Sequence, residues 1–440
     1  MGNAESNGLT RRDFLRTGAA LGVGSSILAF PEKLYAAGGS GALRVGLVGT
    51  GGRGTGAARD MVNSSEGIEI VAMGNLRGEK LATSRAQLAE RIPEAYRVDD
   101  EHVFLGFDAY RHVIESDIDV VILATPPHFR PAQLRAAVEA GKHVFMEKPI
   151  AVDPVGVRSI IESAEMAAQK GLAIVAGTQR RHDPKYIETV RRIHAGEIGD
   201  VTSGHVYWNQ GGLWNFERLP GMSDMEWQIR NWLYFTWASG DHIVEQHIHN
   251  IDVANWVMGG PPVRAYGTGG RQVRVDPSYG HIFDHFMIEL EYANGGTITS
   301  MCRQQPRTAG RNAETFTGTN GSAQTSGRTP WVRGANEWQW AQEGEAVNPY
   351  VQEHADLIAS IRAGTPLNEG RQVAESTLTA ILAREAAYTG QVITWDEIMA
   401  SDLDLTPGPL EFGPLPFPPV PQPGVTRLSR PPFAHSHPTG

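Results

Sequence analysis

Cysteine is nearly missing from this chain: Cys302 stands alone, so no internal disulfide can form. No tract of lysine and arginine occurs either. The 39 basic and 49 acidic residues leave a formal charge of −10, which argues against nucleic acid as a partner. No apolar run approaches the length of a membrane span. What is present is 440 residues, 41% of them hydrophobic, enough for a large core and, on length, two domains.

The first residues read as an address rather than as structure. TRRDFLR (10–16) carries the adjacent Arg11 and Arg12, followed by the modestly apolar, glycine-rich GAALGVGSSILAF (18–30). Residues 1–37 are therefore expected to be a twin-arginine export signal, cleaved near YAAGGSGA, which places the mature protein in the periplasm or otherwise outside the cytoplasm, free of the membrane.

LRVGLVGTGGRGTGAARDMV begins the folded part. A short apolar run leads into Gly49, Thr50, Gly51, Gly52, Arg53 and Gly54, which fit G-x-G-x-x-G, and a helical pattern follows. Strand, glycine turn and helix are the setting in which backbone amides meet a pyrophosphate, so a dinucleotide is expected here. Further apolar runs at 67–76, 119–127, 141–149 and 171–179 alternate with helical segments, giving a doubly wound α/β Rossmann domain over 43–180. The runs at 200–210, 263–275, 285–295 and 296–304 lie close together and alternate. They imply a second α+β domain, 181–400, with a large open, mostly antiparallel sheet and helices at 241–258, 350–363 and 371–388. The proline-dense tail, 405–440, is expected either to trail free or to lie as an arm over this or a neighbouring subunit.

EAGKHVFMEKP (139–149), the glycine turn, ATPP (124–127) and EQHIHNID (245–252) together resemble the glucose–fructose oxidoreductase/inositol dehydrogenase (Gfo/Idh/MocA) family, in its twin-arginine-exported branch. The resemblance covers nearly the whole mature chain. It implies hydride transfer between a ring hydroxyl of a sugar, glycoside or cyclitol and a tightly bound NAD or NADP. It also implies a homodimer or homotetramer. Lys148 matches the lysine that contacts the reacting hydroxyl, with Pro149 setting its direction. His249 matches the family histidine, and Glu245 stands where aspartate is usual. Thr125, Pro126 and Glu147 fall against the cofactor. Asn75 replaces the acidic residue that binds the adenosine ribose, and with Arg77 two positions on it admits NADP without excluding NAD. Arg130 stands where the family commonly has histidine.

If 241–258 is one helix, His242, Glu245, His249 and Asp252 share a face and His247 points away. Two imidazoles and a carboxylate on one face would suit a metal, but the nicotinamide does the redox work in this family and no metal is expected. Six of the ten tryptophans fall between 208 and 256. Trp208 and Trp214, with Arg181, His182 and His247, are expected at a carbohydrate. Two other functions compete: a nicotinamide-dependent glycoside hydrolase working by transient ring oxidation, and a non-catalytic sugar-binding protein.

Overall fold

The computed structural model describes residues 41–429, so the expected signal, 1–37, and the last residues of the tail lie outside the described residues. Six parallel strands open the structure: β1 (Leu43–Val48), β2 (Ile68–Asn75), β3 (Val103–Leu105), β4 (Val120–Leu123), β5 (His143–Met146) and β6 (Ile174–Ala176). They are joined through α1 (Gly52–Ser64), α2 (Gly78–Arg91), α3 (Ala109–Glu115), α4 (Arg130–Glu139) and α5 (Pro154–Gln169). The strand order is β3-β2-β1-β4-β5-β6, a Rossmann sheet whose direction of progression reverses between β1 and β4. That reversal opens a crevice at the carboxyl ends of the strands. The continuous apolar run of β4 has a simple cause. Val120 and Ile122 pack on one face of the sheet, Val121 and Leu123 on the other, and helices cover both.

After α6 (Pro184–His194) the chain builds a nine-stranded sheet in the order β14-β13-β12-β11-β7-β10-β9-β8-β15. Its central strands are β7 (Val201–Gln210), β8 (Arg264–Gly270), β9 (His285–Glu291), β10 (Thr297–Gln304) and β11 (Arg311–Gly318). The edges are β12 (Gly321–Gln324), β13 (Trp331–Arg333), β14 (Trp338–Gln339) and β15 (Ile393–Thr394). All pairings are antiparallel except that of β7 with β10. Alternation along β9 turns Phe286, Ile288 and Leu290 inward and leaves Met287 53% exposed. Residues 271–275 do not extend β8, because the Asp284 carboxylate accepts the amides of Gln272, Val273 and Arg274 at 2.7, 2.6 and 3.1 Å.

Short helices α7 (Asp224–Arg230), α8 (Thr236–Ser239) and α9 (His242–Glu245) precede α10 (Ile248–Met258). The helix expected over 241–258 is thus broken at Gln246–His247. Of the later helices, α11 (Pro349–Arg362), α12 (Gly370–Thr389) and α13 (Trp395–Ala400), α12 is buried nearly all round. Helix α11 belongs by packing to the first domain: Leu357 and Ile358 enter the same apolar cluster as β1, β2 and α1. The tail is tied to its own chain. Leu405 N–H donates to Asp153, Leu415 N–H to Asp224 at 3.0 Å, and the Phe417 ring packs on Phe235.

Candidate active site

A cleft of about 700 Å³ runs along the carboxyl ends of β1, β2 and β4 and is roofed by the second domain. This is within the usual range for a small-molecule site. Its floor is the glycine turn. Gly49 has φ 91°, and a Cβ there would fall on the backbone of Ala124. A Cβ on Gly54 would lie 1.8 Å from the Gly49 carbonyl oxygen. Gly51 and Gly52 face open space instead, and no side chain caps the N-terminus of α1. The free amides and the vacant shoulder suit a pyrophosphate, so the residues fit a dinucleotide.

Gly49, Gly51, Gly52, Arg53, Gly54, Asn75, Arg77, Thr125, Pro126 and Glu147, all expected at the cofactor, line the cleft. Thr50 does not: it is buried, and its hydroxyl accepts the Asn75 amide at 2.6 Å. Arg53 reaches the cleft wall but its guanidinium is engaged. It pairs with Glu147, with Asp60 at 3.3 Å and with Glu353 of α11 at 3.0 Å, and lies over the Tyr350 ring. It rivets the glycine turn to α11. Arg130 is buried, and its guanidinium donates to the carbonyls of Thr125 and Pro149, so it anchors the loop that carries Lys148. The Lys148–Pro149 bond is cis.

Above the β4 and β5 ends stand Lys148, Glu245 and His249. Lys148 Nζ donates to the Glu245 carbonyl at 2.5 Å and to its Oε1 at 3.0 Å. The His249 ring stacks on Trp208 with centroids 5.7 Å apart. Burial, and then the charges of Lys148 and Arg180, hold His249 well below its ordinary range, so it stands neutral. Its Nδ1 is buried without a hydrogen-bond partner. A neutral imidazole beside an ammonium held by a carboxylate can take a proton from one oxygen while the ammonium steadies that oxygen.

Gln246, at the helix break, also faces the cleft, and its orientation follows from its neighbours. Arg274 has only donors, so Gln304 must turn Oε1 toward it. Gln304 therefore presents Nε2 to Gln246, whose Oε1 accepts from it and from Gln210 Nε2 at 2.7 Å. The amide nitrogen of Gln246 is left for the cleft, as a donor.

The other expected site residues lie elsewhere. The break at 246–247 removes the single helical face. His247 is fully buried, with its ring bonded to Ser300 Oγ at 2.8 Å. His242 is also buried, against Asp241 and the Phe286 ring, and does not line the cleft as Glu245 and His249 do. Arg181 clamps Asp252, its Nε 2.8 Å from Oδ2, over the Trp256 ring. His182 is held between Asp356 at 2.6 Å and Glu369 at 3.2 Å. Burial lowers its pKa, but the two carboxylates outweigh that and raise it to about 10. Of the six clustered tryptophans, Trp208, Trp214 and Trp232 line the cleft, while Trp227 and Trp237 are core. Sequence reasoning misses Gln246, Gln179, Tyr350, Lys80 and Arg230, all of which line the cleft. Only Gln246 and Lys80 sit near a readable motif.

Residues 43–178 match the model of the oxidoreductase family with an NAD-binding Rossmann fold, and residues 186–324 match that of the GFO/IDH/MocA C-terminal domain. Inositol 2-dehydrogenase 1 of Saccharopolyspora erythraea is 30% identical over 257 residues, covering 58% of this chain and 66% of that protein. The scyllo-inositol 2-dehydrogenase (NAD(+)) of Bacillus subtilis is 27% identical over 261 residues, covering 58% and 65%. The chain thus spans just under two thirds of these relatives. Among solved structures, the aldose-aldose oxidoreductase of Caulobacter crescentus complexed with glycerol superposes with a TM-score of 0.64 at 18% identity, over 80% of this chain and 99% of that one. Levoglucosan dehydrogenase in complex with NADH and levoglucosan gives 0.63 at 18% identity, over the same shares. At that identity the likeness is one of fold.

Proposed function

Because the chain belongs to the Gfo/Idh/MocA oxidoreductase family, we propose that it moves a hydride between a ring carbon of a sugar, glycoside or cyclitol and a nicotinamide dinucleotide held in the cleft. The observation that carries this is the meeting of Lys148, Glu245 and neutral His249 above the glycine turn. The nicotinamide, when bound, supplies the hydride acceptor or donor. The remaining work falls to this chain. His249 takes the proton of the substrate hydroxyl during oxidation and returns it during reduction. Lys148 hydrogen-bonds the same oxygen, and Glu245 keeps the ammonium aimed. Gln246 donates to a neighbouring substrate oxygen. Trp208, Trp214 and Trp232 offer flat apolar faces to the ring.

Export and self-association belong to the same proposal. Arg11 and Arg12 direct export of the folded, nucleotide-loaded protein. Because free nicotinamide is scarce outside the cytoplasm, the cofactor is held tightly and recycled in place by alternate substrates. The uncovered face of the nine-stranded sheet, where Tyr266 is 59% and Met287 53% exposed, supports pairing of copies into a dimer or tetramer. The first test is to purify the full chain, denature it and identify the released nucleotide by mass spectrometry. Nearly one NAD or NADP per chain is expected. A protein that carries none and binds neither refutes the oxidoreductase reading.

A further inference from the structure

Helix α12 carries a buried cation that the proposed reaction does not use. Arg384 is fully buried, as is Glu385 beside it, and its Nε donates to the Glu385 carboxylate at 2.9 Å. Its Nη1 donates twice, to the Val152 carbonyl at 2.8 Å and to the Gly240 carbonyl at 3.0 Å. Residues 147–153 and 240–241 belong to no helix or strand, and buried carbonyls in such segments need a donor from elsewhere. The two segments lead to two partners in the site: Lys148 stands four residues before Val152, and Glu245 five residues after Gly240. One nitrogen therefore staples the backbone that carries Lys148 to the backbone that carries Glu245. The second segment is pinned further. Asp241 has φ 76° and ψ 161°, a conformation that residues other than glycine rarely adopt. Its carboxylate accepts the amides of His242 and Phe283 at 2.5 and 2.9 Å and the Tyr388 hydroxyl at 2.5 Å. Its carbonyl accepts the amides of Val244 and Glu245 at 3.0 and 2.9 Å, so the turn that ends in Glu245 hangs from Asp241. Tyr388 lies one helical turn beyond Arg384, so one face of α12 holds both Gly240 and Asp241. A buried ion pair is weak ground for stability, since well-packed apolar side chains of similar volume often serve as well. The two carbonyls that Arg384 reaches argue for placement instead.

We propose that Arg384 is a positioning residue: by bridging Val152 and Gly240 it sets the separation of Lys148 and Glu245, and Tyr388 supports it by fixing Asp241. The inference rests on the reading of Lys148 and Glu245 as members of the reaction site and goes beyond it by naming what holds them at hydrogen-bond distance. Lys148 follows a strand of the first domain, and Glu245 ends a one-turn helix of the second. Their own contact borders the cleft, where water competes for it; the Arg384 bridge lies in the core, where a hydrogen bond is stronger. A shift of either segment by an ångström separates donor from acceptor, and a misplacement of that size costs about a hundredfold in rate. Lysine at 384 keeps an ammonium for the two carbonyls; methionine offers them nothing.

The test compares the full-length native protein with Arg384→Met, Arg384→Lys and Tyr388→Phe. The first readout is the rate at which acetic anhydride labels Lys148, followed by peptide mass spectrometry with Lys142 as the internal standard. Arg384→Met should raise the Lys148 rate about tenfold, the scale of one lost charge-assisted hydrogen bond, and leave Lys142 unchanged. Tyr388→Phe should raise it less, and Arg384→Lys should fall between the native protein and Arg384→Met. The second readout is kcat against KM in the oxidation of myo-inositol or D-glucose. In Arg384→Met kcat should fall about a hundredfold, with KM and the nucleotide bound per chain unchanged. A folded Arg384→Met protein that labels Lys148 at the native rate overturns the proposal and leaves Arg384 a structural role alone. Where Arg384→Met does not fold, native-rate labelling in both Arg384→Lys and Tyr388→Phe overturns it equally. Labelling as expected in a protein that binds no nucleotide and oxidises no sugar overturns the oxidoreductase reading instead, because the labelling comparison needs neither nucleotide nor substrate.

Discussion

The two ends of the cleft are built differently. At the Lys148 end the functional groups are short of freedom: Lys148 is tied to Glu245, His249 lies against Trp208, and Gln246 is aimed by Gln210 and Gln304. At the Arg77 end the groups are long side chains near water, and the rigid element is backbone, the turn from Gly49 to Gly54. Chemistry needs atoms placed to within fractions of an ångström, and buried neighbours supply that. Holding a nucleotide needs amides and charge, which a turn and flexible cations supply. Damage at the first end should therefore appear in turnover, and damage at the second in affinity.

The largest effect expected is that of Lys148→Met, which should lower kcat by about a thousandfold, within the range for loss of a positioned acid–base group. Nucleotide retention should not change. A variant purified empty would show the two ends to be coupled. Next is a residue outside both ends, His182→Gln, which breaks a buried ion-paired cluster at a cost of about 3–5 kcal/mol. The sign follows from a pKa raised from 6.5 to about 10 on folding. The stabilisation is fully present below pH 6.5 and is lost as pH rises toward 10. Chemical denaturation across that window should show the slope in the native protein and not in the variant, with the nucleotide site intact.

Gly54→Ala should act at the other end alone. Its Cβ would meet the Gly49 carbonyl, so nucleotide affinity should fall about ten- to a hundredfold. Turnover at saturating nucleotide should be nearly kept. Gln246→Glu replaces a donor by an acceptor while Gln210 and Gln304 keep their partner. KM for the sugar should rise about tenfold with little change in kcat; a fall in kcat alone would make Gln246 part of the proton path instead. The smallest effect is in the pH profile. His249 must be neutral to accept a proton and its pKa is lowered, so the oxidation rate should hold as pH falls through 6.5.

The same division governs how much of the molecule is legible in its sequence. The glycine turn, the parallel strands and Lys148 are readable because their signals are local: a strand, a turn and a helix follow one another within twenty residues or so. The stretch from 241 to 252 is only half readable. Its residue types announce chemistry, but their directions depend on Ser300, Gln304 and Gln210, which are far away in sequence and pull His247 and Gln246 out of one helical frame. Arg181 and His182 look like ligand-binding residues because they are charged and follow a strand end. Their partners, Asp252, Asp356 and Glu369, come from three later segments. Strands β11 to β14 escape notice because β11 and β12 are mostly polar, β13 and β14 are only three and two residues long, and all four pair toward an edge of the sheet. Arg230 has no local signal at all; only folding brings α7 over the floor of the cleft.

The seat of α11 has a consequence for how the protein comes into being. Leu357 and Ile358 fill the apolar layer beneath β1 and β2, although more than 280 residues separate them in the chain from those strands. A ribosome that has finished β6 has therefore not finished the first domain: a strip of its core stays open to water until the last quarter of the message has been read. Any gene fragment cut near residue 180 to yield a free-standing nucleotide-binding half would encode that same unfinished surface, and each missing leucine or isoleucine would withhold about 1.5–3 kcal/mol of burial. The two halves of this protein are interleaved, not threaded one after the other, and neither can be exchanged as a cassette without a piece of the other.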